Sequence, residues 1–356
     1  MEFPGSFYKK KRMPGDGFLL HLLDIKRKKR GTNMIFDGHS DIFSDVRYKR
    51  EAGETQVLKN RHLERLQKGG IGGACFVIWA DTYNGFDPKD EMAAIVKALK
   101  EEMAETQDFV LVHNTAELKA AEAAGKFAIL LGIEGLAGIG DALSKIDELY
   151  DLGARHAMLT WNEENLLATG VKGNPDRGVT ELGKKAIKKI QEKKMILDVS
   201  HINEKSFWDV MDVTTGPILA SHSNAKALAS AARNLTDDQL KAIRDTNGLV
   251  GLNAFNDFIS DVKAEQDVDH LVNHASYIAD KIGVEHLGFG FDFFEFLSTD
   301  FMKSYSDQDD SLLRGMEDCS KVPVLIEKLR KAGFTEKDLE MISGGNWINL
   351  IQRVMG

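Results

Sequence analysis

The chain has 356 residues, 43% of them hydrophobic and 28% charged, the proportions of an ordinary globular protein rather than a disordered or membrane-embedded one. A net charge of −9 argues against nucleic acid as a partner. Two cysteines, Cys75 and Cys319, are too few for a disulfide framework, which points to a reducing, cytoplasmic setting.

Charge is unevenly spread along the chain. Residues 1–33 hold nine Lys/Arg and three Asp/Glu, or +6, leaving −15 for residues 34–356. The apolar stretch 18–23, between two basic runs, is too short for a signal core or a membrane span. Residues 1–33 therefore read as a basic leader outside the fold, or as a start placed too early, with no membrane anchor. Residues 34–356 read as a single domain.

Past Met34 the sequence alternates between short apolar runs and longer amphipathic segments. Strands are expected at 35–37, 73–79, 128–133, 157–160, 195–199, 218–221, 249–253 and 287–291, which makes eight. Helices are expected between them at 57–68, 89–107, 116–124, 142–152, 181–193, 203–213, 237–245 and 268–282. The segment 181–193 shows the pattern well: Leu182, Ala186, Ile187 and Ile190 share a face opposite the lysines, and Thr180 is placed to cap it. Eight strands alternating with helices favour a parallel sheet closed into a (β/α)8 TIM-type barrel. No Gly-x-Gly-x-x-Gly follows the first strand to support an open doubly wound sheet, and Gly69 to Gly73 reads as a turn before a strand. The polar segment 293–322 is long enough to be a lid, and extra C-terminal helices at 323–331, 336–342 and 346–354 end the chain.

Residues able to carry chemistry stand just after the strands. The first strand leads into His39 and Asp41, two apart and so on one side of an extended chain, a pair suited to a zinc-type cation. Later strands lead into Glu134, His201, His222 and Asp292. Singly each has a plain alternative: a hydrogen-bonded histidine, a helix cap, a turn anchor. Together they make coincidence explain five strand ends, and in a barrel those ends ring one mouth. His270 and His274 lie four apart on a helix without the glutamate of a zinc-protease helix, so a solvated face is expected. His62, His113, His156 and His286 are expected away from the mouth.

The ordered set Asp37-Gly38-His39-Ser40-Asp41, Gly132-Ile133-Glu134-Gly135, Leu197-Asp198-Val199-Ser200-His201, Ser221-His222-Ser223, Arg233-Asn234-Leu235 and Gly288-Phe289-Gly290-Phe291-Asp292-Phe293 resembles the membrane (renal) dipeptidase family of metal-dependent amidohydrolases. The resemblance runs from about Met34 to the C-terminus. It implies a (β/α)8 barrel with two zinc ions per chain, one on His39 and Asp41, one on His201 and His222, and Glu134 bridging them. It also implies that a hydroxide shared by the zincs attacks a dipeptide's peptide bond. Asp292 would then carry the proton from water to the leaving amine, and Arg233 would grip the free C-terminal carboxylate. Bacterial relatives typically tolerate or prefer a D-residue at that end, and family members are often homodimers, though no stretch here reads as an interface. Where mammalian members carry a histidine after the fourth strand, this chain has Trp161 followed by Asn162, whose indole N–H or amide would have to steady the oxyanion instead. A lactonase or phosphotriesterase on the same barrel is the nearest competitor, but those usually show His-x-His after the first strand and a carbamylated lysine bridge. A non-catalytic binding barrel would lack ligands, and none is missing.

Overall fold

The computed structural model describes residues 34–80, 85–297 and 312–356. The expected leader, 1–33, lies outside the described residues, as do residues 298–311 of the expected lid, 293–322. The described residues form nine strands: β1 (Ile35–Ser40), β2 (Ile71–Trp79), β3 (Phe109–Leu111), β4 (Phe127–Glu134), β5 (Ala154–Met158), β6 (Ile196–Asp198), β7 (Ile218–Ala220), β8 (Leu249–Leu252) and β9 (Leu287–Phe289). Their order is β2-β1-β9-β8-β7-β6-β5-β4, and β4 also pairs with β2, so eight parallel strands close into a barrel.

The ninth, β3, was not expected. It pairs with Phe127 to Ile129 of β4, below the stretch Leu131 to Ile133 where β5 takes over the same edge. Three residues carry too little alternation to be told from the run-out of the preceding helix, Pro88–Glu105. The helix Ile42–Glu51 was also missed, because its buried Ile42, Phe43 and Val46 cover little more than one turn. The expected helices are present with ends shifted by a few residues; that from Glu181 to Glu192 is capped by Thr180, whose side chain accepts from the Gly183 N–H. At the Gly69–Gly73 turn, Gly70 ends a helix in the left-handed region at φ 73°, the conformation a helix C-cap needs.

Side chains alternate along each strand and divide the interior in two. Ala74, Phe76, Ile129, Leu131 and Val250 pack outward with the helices. Phe36, Cys75, Val77, Leu130, Ile196, Leu219 and Leu249 form an inner cluster with Trp347, which comes from the C-terminal helix Asn346–Met355. The Trp347 indole N–H donates to the Phe289 carbonyl at 2.9 Å, and its ring lies 5.4 Å from that of Phe36. A methyl group on Gly38 would fall inside this indole and against the Phe289 carbonyl. Gly38→Ala is therefore expected to cost about 1–3 kcal/mol by overpacking. A lowered denaturant midpoint reads this, and an unchanged midpoint would mean that Trp347 is loosely held.

Among the described residues, no helix is long and apolar enough to cross a membrane.

Candidate metal centre

Each strand end delivers its side chain by a local device. In β1 the register with β2 slips between Asp37 and Ser40, an irregularity of the bulge type that re-aims the strand's last residues. Asp37 braces that slip, its Oδ1 accepting from the Phe291 N–H at 2.8 Å and the His39 N–H at 3.4 Å. Burial raises the Asp37 carboxyl to about 7, and the two backbone N–H groups and His39 pull against that rise. Asp41 begins the helix Ile42–Glu51 but makes no side-chain cap bond, which leaves its carboxylate for the barrel mouth. Glu134 is the last residue of β4. His201 and His222 follow β6 and β7, and Asp292 follows β9. Asp292 holds φ 60°, the left-handed region that non-glycine residues rarely enter and that collects at functional sites.

These residues meet. Glu134 lies at the centre, one oxygen 3.3 Å from His39 Nε2, the other 2.8 Å from His201 Nε2 and 3.8 Å from His222 Nε2. His39 Nε2 is also 3.7 Å from Asp41 and 3.8 Å from Asp292. The Nε2 atoms of His201 and His222 stand 2.7 Å apart. His39 and His222 are buried completely, and Asp41, Glu134 and His201 nearly so.

The charges are out of balance for a dry protein interior. Burial, then the neighbouring Asp41 carboxylate, raise Glu134 to about 8. Burial alone would lower the His39 imidazole, but Glu134, Asp41 and Asp292 crowd it and hold it well above its ordinary value. Burial, followed by the charges of Arg233 and His39, pushes His201 and His222 well below theirs. The Asn162 amide oxygen, which can only accept, sits 2.9 Å from His201 Nδ1. That ring therefore keeps its proton on Nδ1 and presents a bare lone pair on Nε2. Among the described residues, both ring nitrogens of His39 and Oδ1 of Asp41 are buried without a hydrogen-bond partner.

Unpartnered buried donors and acceptors are costly, and a bound cation would give these nitrogens and oxygens a partner. Two of its subsets, His39, Glu134 and His222, and His39, Asp41 and Asp292, bring ligand atoms close enough to share an ion. Imidazole nitrogens with carboxylate oxygens are the donor set of zinc-type sites. The residues present fit divalent metal.

The sequence model of the membrane dipeptidase family, peptidase family M19, matches residues 29–355. This chain belongs to that family. An uncharacterised Klebsiella pneumoniae protein of the pqqA 5′ region is 32% identical over 278 residues, spanning 75% of this chain and 97% of its own length. An uncharacterised dipeptidase of Schizosaccharomyces pombe is 29% identical over 312 residues, 82% of this chain and 72% of its own. Among solved structures, dipeptidase AC, a metallopeptidase of family M19, superposes with a TM-score of 0.79 at 27% identity over 91% of this chain and 99% of that one. A Rhodobacter sphaeroides metallopeptidase, liganded with a phosphinate mimic of the dipeptide L-Ala-D-Ala, superposes at 0.78 with 26% identity and the same coverage. As a member of the membrane dipeptidase family the protein is a metal-dependent hydrolase on a (β/α)8 barrel, and the motif resemblance holds.

The remaining expected site residues lie in the same region. Arg233 is 6% exposed; its guanidinium donates to the His222 carbonyl at 3.2 Å and the Ser223 hydroxyl at 3.4 Å, and among the described residues its Nε has no partner. Burial lowers it to about 10, which leaves it charged at neutral pH. Trp161 packs edge-on to Trp79 at 5.0 Å, 6.0 Å from the His201 ring. Asn162 spends its amide oxygen on orienting His201.

Some residues that shape the site escaped sequence reasoning. Asn253 follows β8, one of the strand ends that carry no ligand-type residue, and its amide donates to Asp292 Oδ2 at 3.1 Å and to the His222 carbonyl at 3.3 Å. His156, expected away from the mouth, lies buried within β5 and pairs with Asp198 at 2.7 Å, while Asp198 in turn holds Ser200 and Ser221. One histidine reading is corrected. His274 lies on a buried face, not a solvated one: its Nδ1 accepts from the Ala225 N–H at 3.1 Å and its Nε2 donates to the Ile259 carbonyl at 2.9 Å. The helix Val268–Ile282 turns that side chain inward, tying together the loops after β7 and β8.

Proposed function

We propose that this protein is a binuclear zinc dipeptidase that hydrolyses dipeptides with a free C-terminal carboxylate and accepts a D-residue at that position. The convergence of His39, Asp41, Glu134, His201 and His222 on one buried point, with Glu134 between two sets of imidazoles, carries this reading. His39 and Asp41 would hold one ion, His201 and His222 the other, and Glu134 would offer an oxygen to each. Bound there, the pair would supply Lewis acidity towards the peptide carbonyl and a water acidic enough to react near neutral pH.

The chain's own groups would do the rest. Asp292, beside His39 and steadied by Asn253, would accept a proton from the attacking water and return it to the leaving nitrogen. Water thus adds to the carbonyl carbon, the C–N bond breaks, and a carboxylate and an amine leave. Arg233 presents an Nε unpartnered among the described residues and a charge held in a buried setting, which suits a planar grip on the substrate's carboxylate. With that carboxylate and the scissile carbonyl both fixed, the substrate is limited to two residues. Trp161 would wall the pocket beside His201. The L-Ala-D-Ala mimic bound by the Rhodobacter sphaeroides neighbour supports tolerance of a D-residue.

Dialysis against a strong chelator should abolish hydrolysis of a panel of L,L- and L,D-dipeptides, and about two zinc ions per chain should restore it. In Glu134→Gln, zinc should be lost from both positions together, because each would lose a shared anionic ligand. Hydrolysis undiminished by the chelator would end the proposal, and independent loss of a single ion from Glu134→Gln would remove the bridge.

A further inference from the structure

We infer that Asp198, acting through the hydroxyls of Ser200 and Ser221, is a positioning residue that sets the ring tautomer of His222 and leaves its Nε2 bare for a divalent cation. The inference rests on the metal reading above and deepens it.

A carboxylate can only accept hydrogen bonds, at about four lone-pair positions. Asp198 meets four donors: its Oδ1 takes the Ser200 N–H at 2.9 Å, the Ser200 hydroxyl at 2.7 Å and the Ser221 N–H at 3.2 Å, and its Oδ2 faces His156 Nε2 at 2.7 Å. The Ser200 proton is therefore committed to Asp198, and Ser200 Oγ can only accept from its other neighbours. Those neighbours are the His222 N–H at 3.3 Å and the Ser221 hydroxyl at 3.3 Å. With its own proton drawn towards Ser200, the Ser221 oxygen turns a lone pair to His222 Nδ1, 2.7 Å away. The shared proton of that contact must then come from the ring, which places it on Nδ1 and strips it from Nε2.

Every member of the relay is buried, so water cannot compete with this ordering. His156 keeps Asp198 charged at the far end: burial works against the carboxylate, but the imidazole's hydrogen bond and charge draw it below its ordinary value. His201 receives the same tautomer from Asn162 by a shorter route. Two bare Nε2 atoms then face each other at 2.7 Å, an arrangement that a shared cation relieves. Without the relay the alternative is simple. A Ser221 hydroxyl free to turn would donate to His222 Nδ1, and the Nε2 proton would bond to His201 instead of leaving room for metal.

The test uses the full-length protein with 15N-labelled histidine, before and after zinc loading, in wild type, Ser200→Ala and Ser221→Ala. Long-range 1H–15N spectra should show wild-type His222 protonated on Nδ1 even without zinc, and Ser200→Ala should shift it towards the Nε2–H form. Zinc affinity at one position should fall by about 10- to 100-fold in both variants, as loss of partners behind a ligand usually causes, while the other position is unaffected. Simple loosening of the core would move stability but not the tautomer. An Nε2–H tautomer in the wild type, or wild-type tautomer and zinc affinity in both variants, would overturn the inference. Should the wild type take up no zinc, the metal reading falls, and the tautomer measured without zinc still decides the relay.

Discussion

Asp292→Asn is expected to retain bound metal and to lose about 10²- to 10⁴-fold in turnover, the usual contribution of a positioned proton carrier. Asparagine has nearly the same shape and is among the few residues that tolerate φ near 60°, so the strained backbone here should survive the change. The amide oxygen can still accept from Asn253, which now meets Oδ2 at 3.1 Å. What disappears is a group able to take up a proton. Burial raises the Asp292 carboxyl to about 6, with His39 and Arg233 opposing the rise. Added cations can only draw it lower. A base must be ionised to act, so wild-type turnover should fall as pH drops through that range, and the Asn variant should lack this acid limb. Metal content by elemental analysis and a pH–rate profile check both halves. Turnover that survives the substitution would remove Asp292 as proton carrier. Metal lost with it would make Asp292 a ligand, an arrangement that its proximity to His39 and Asp41 permits.

Asp198→Ala should destabilise the zinc-free protein by about 3–5 kcal/mol, the range for breaking a buried ion pair by removing one partner. The deletion strands the His156 ring and the N–H groups of Ser200 and Ser221 inside the barrel. The pH dependence follows from the direction of each shift. Burial works against the His156 imidazolium, but the adjacent Cys75 sulfur and the Asp198 carboxylate raise it from 6.5 to about 9. A raised folded value means that the stabilisation is complete below pH 6.5 and is lost as pH climbs through about 9. Asp198 is shifted downward from 3.8, so its share is present above that pH and is lost only in stronger acid. The stability gap between wild type and variant should therefore be widest between about pH 4 and 6.5 and should narrow towards pH 9. Urea titrations at several pH values read this directly. A gap that widens with rising pH would mean that His156 is not the charged partner.

The dependence of metal ligands on residues behind them explains why the site was only partly legible from sequence. Ligand types were visible because each stands directly after an apolar run, where a parallel strand must end. Asp198, Ser200 and Ser221 were visible as letters within the same motifs, but nothing in their order says that one carboxylate takes the Ser200 hydroxyl and the Ser221 N–H while the two hydroxyls meet each other. Asn162 read as a substrate donor because it follows Trp161, whereas its oxygen meets a histidine 39 positions later. His274 was misjudged for the same reason: helical spacing shows which residues share a face, not what that face lies against.

The sequence by itself determined the barrel, the alternation of strand and helix, and which residues stand at the mouth, since local periodicity and strand termini are properties of neighbouring residues. Only the tertiary structure decided β3, the slip that re-aims the end of β1, the inward-facing His274 and the hydrogen bonds that orient His201 and His222. Those depend on groups brought within about 3 Å from distant parts of the chain, and direction at that range is a matter of packing and donor geometry rather than of residue order.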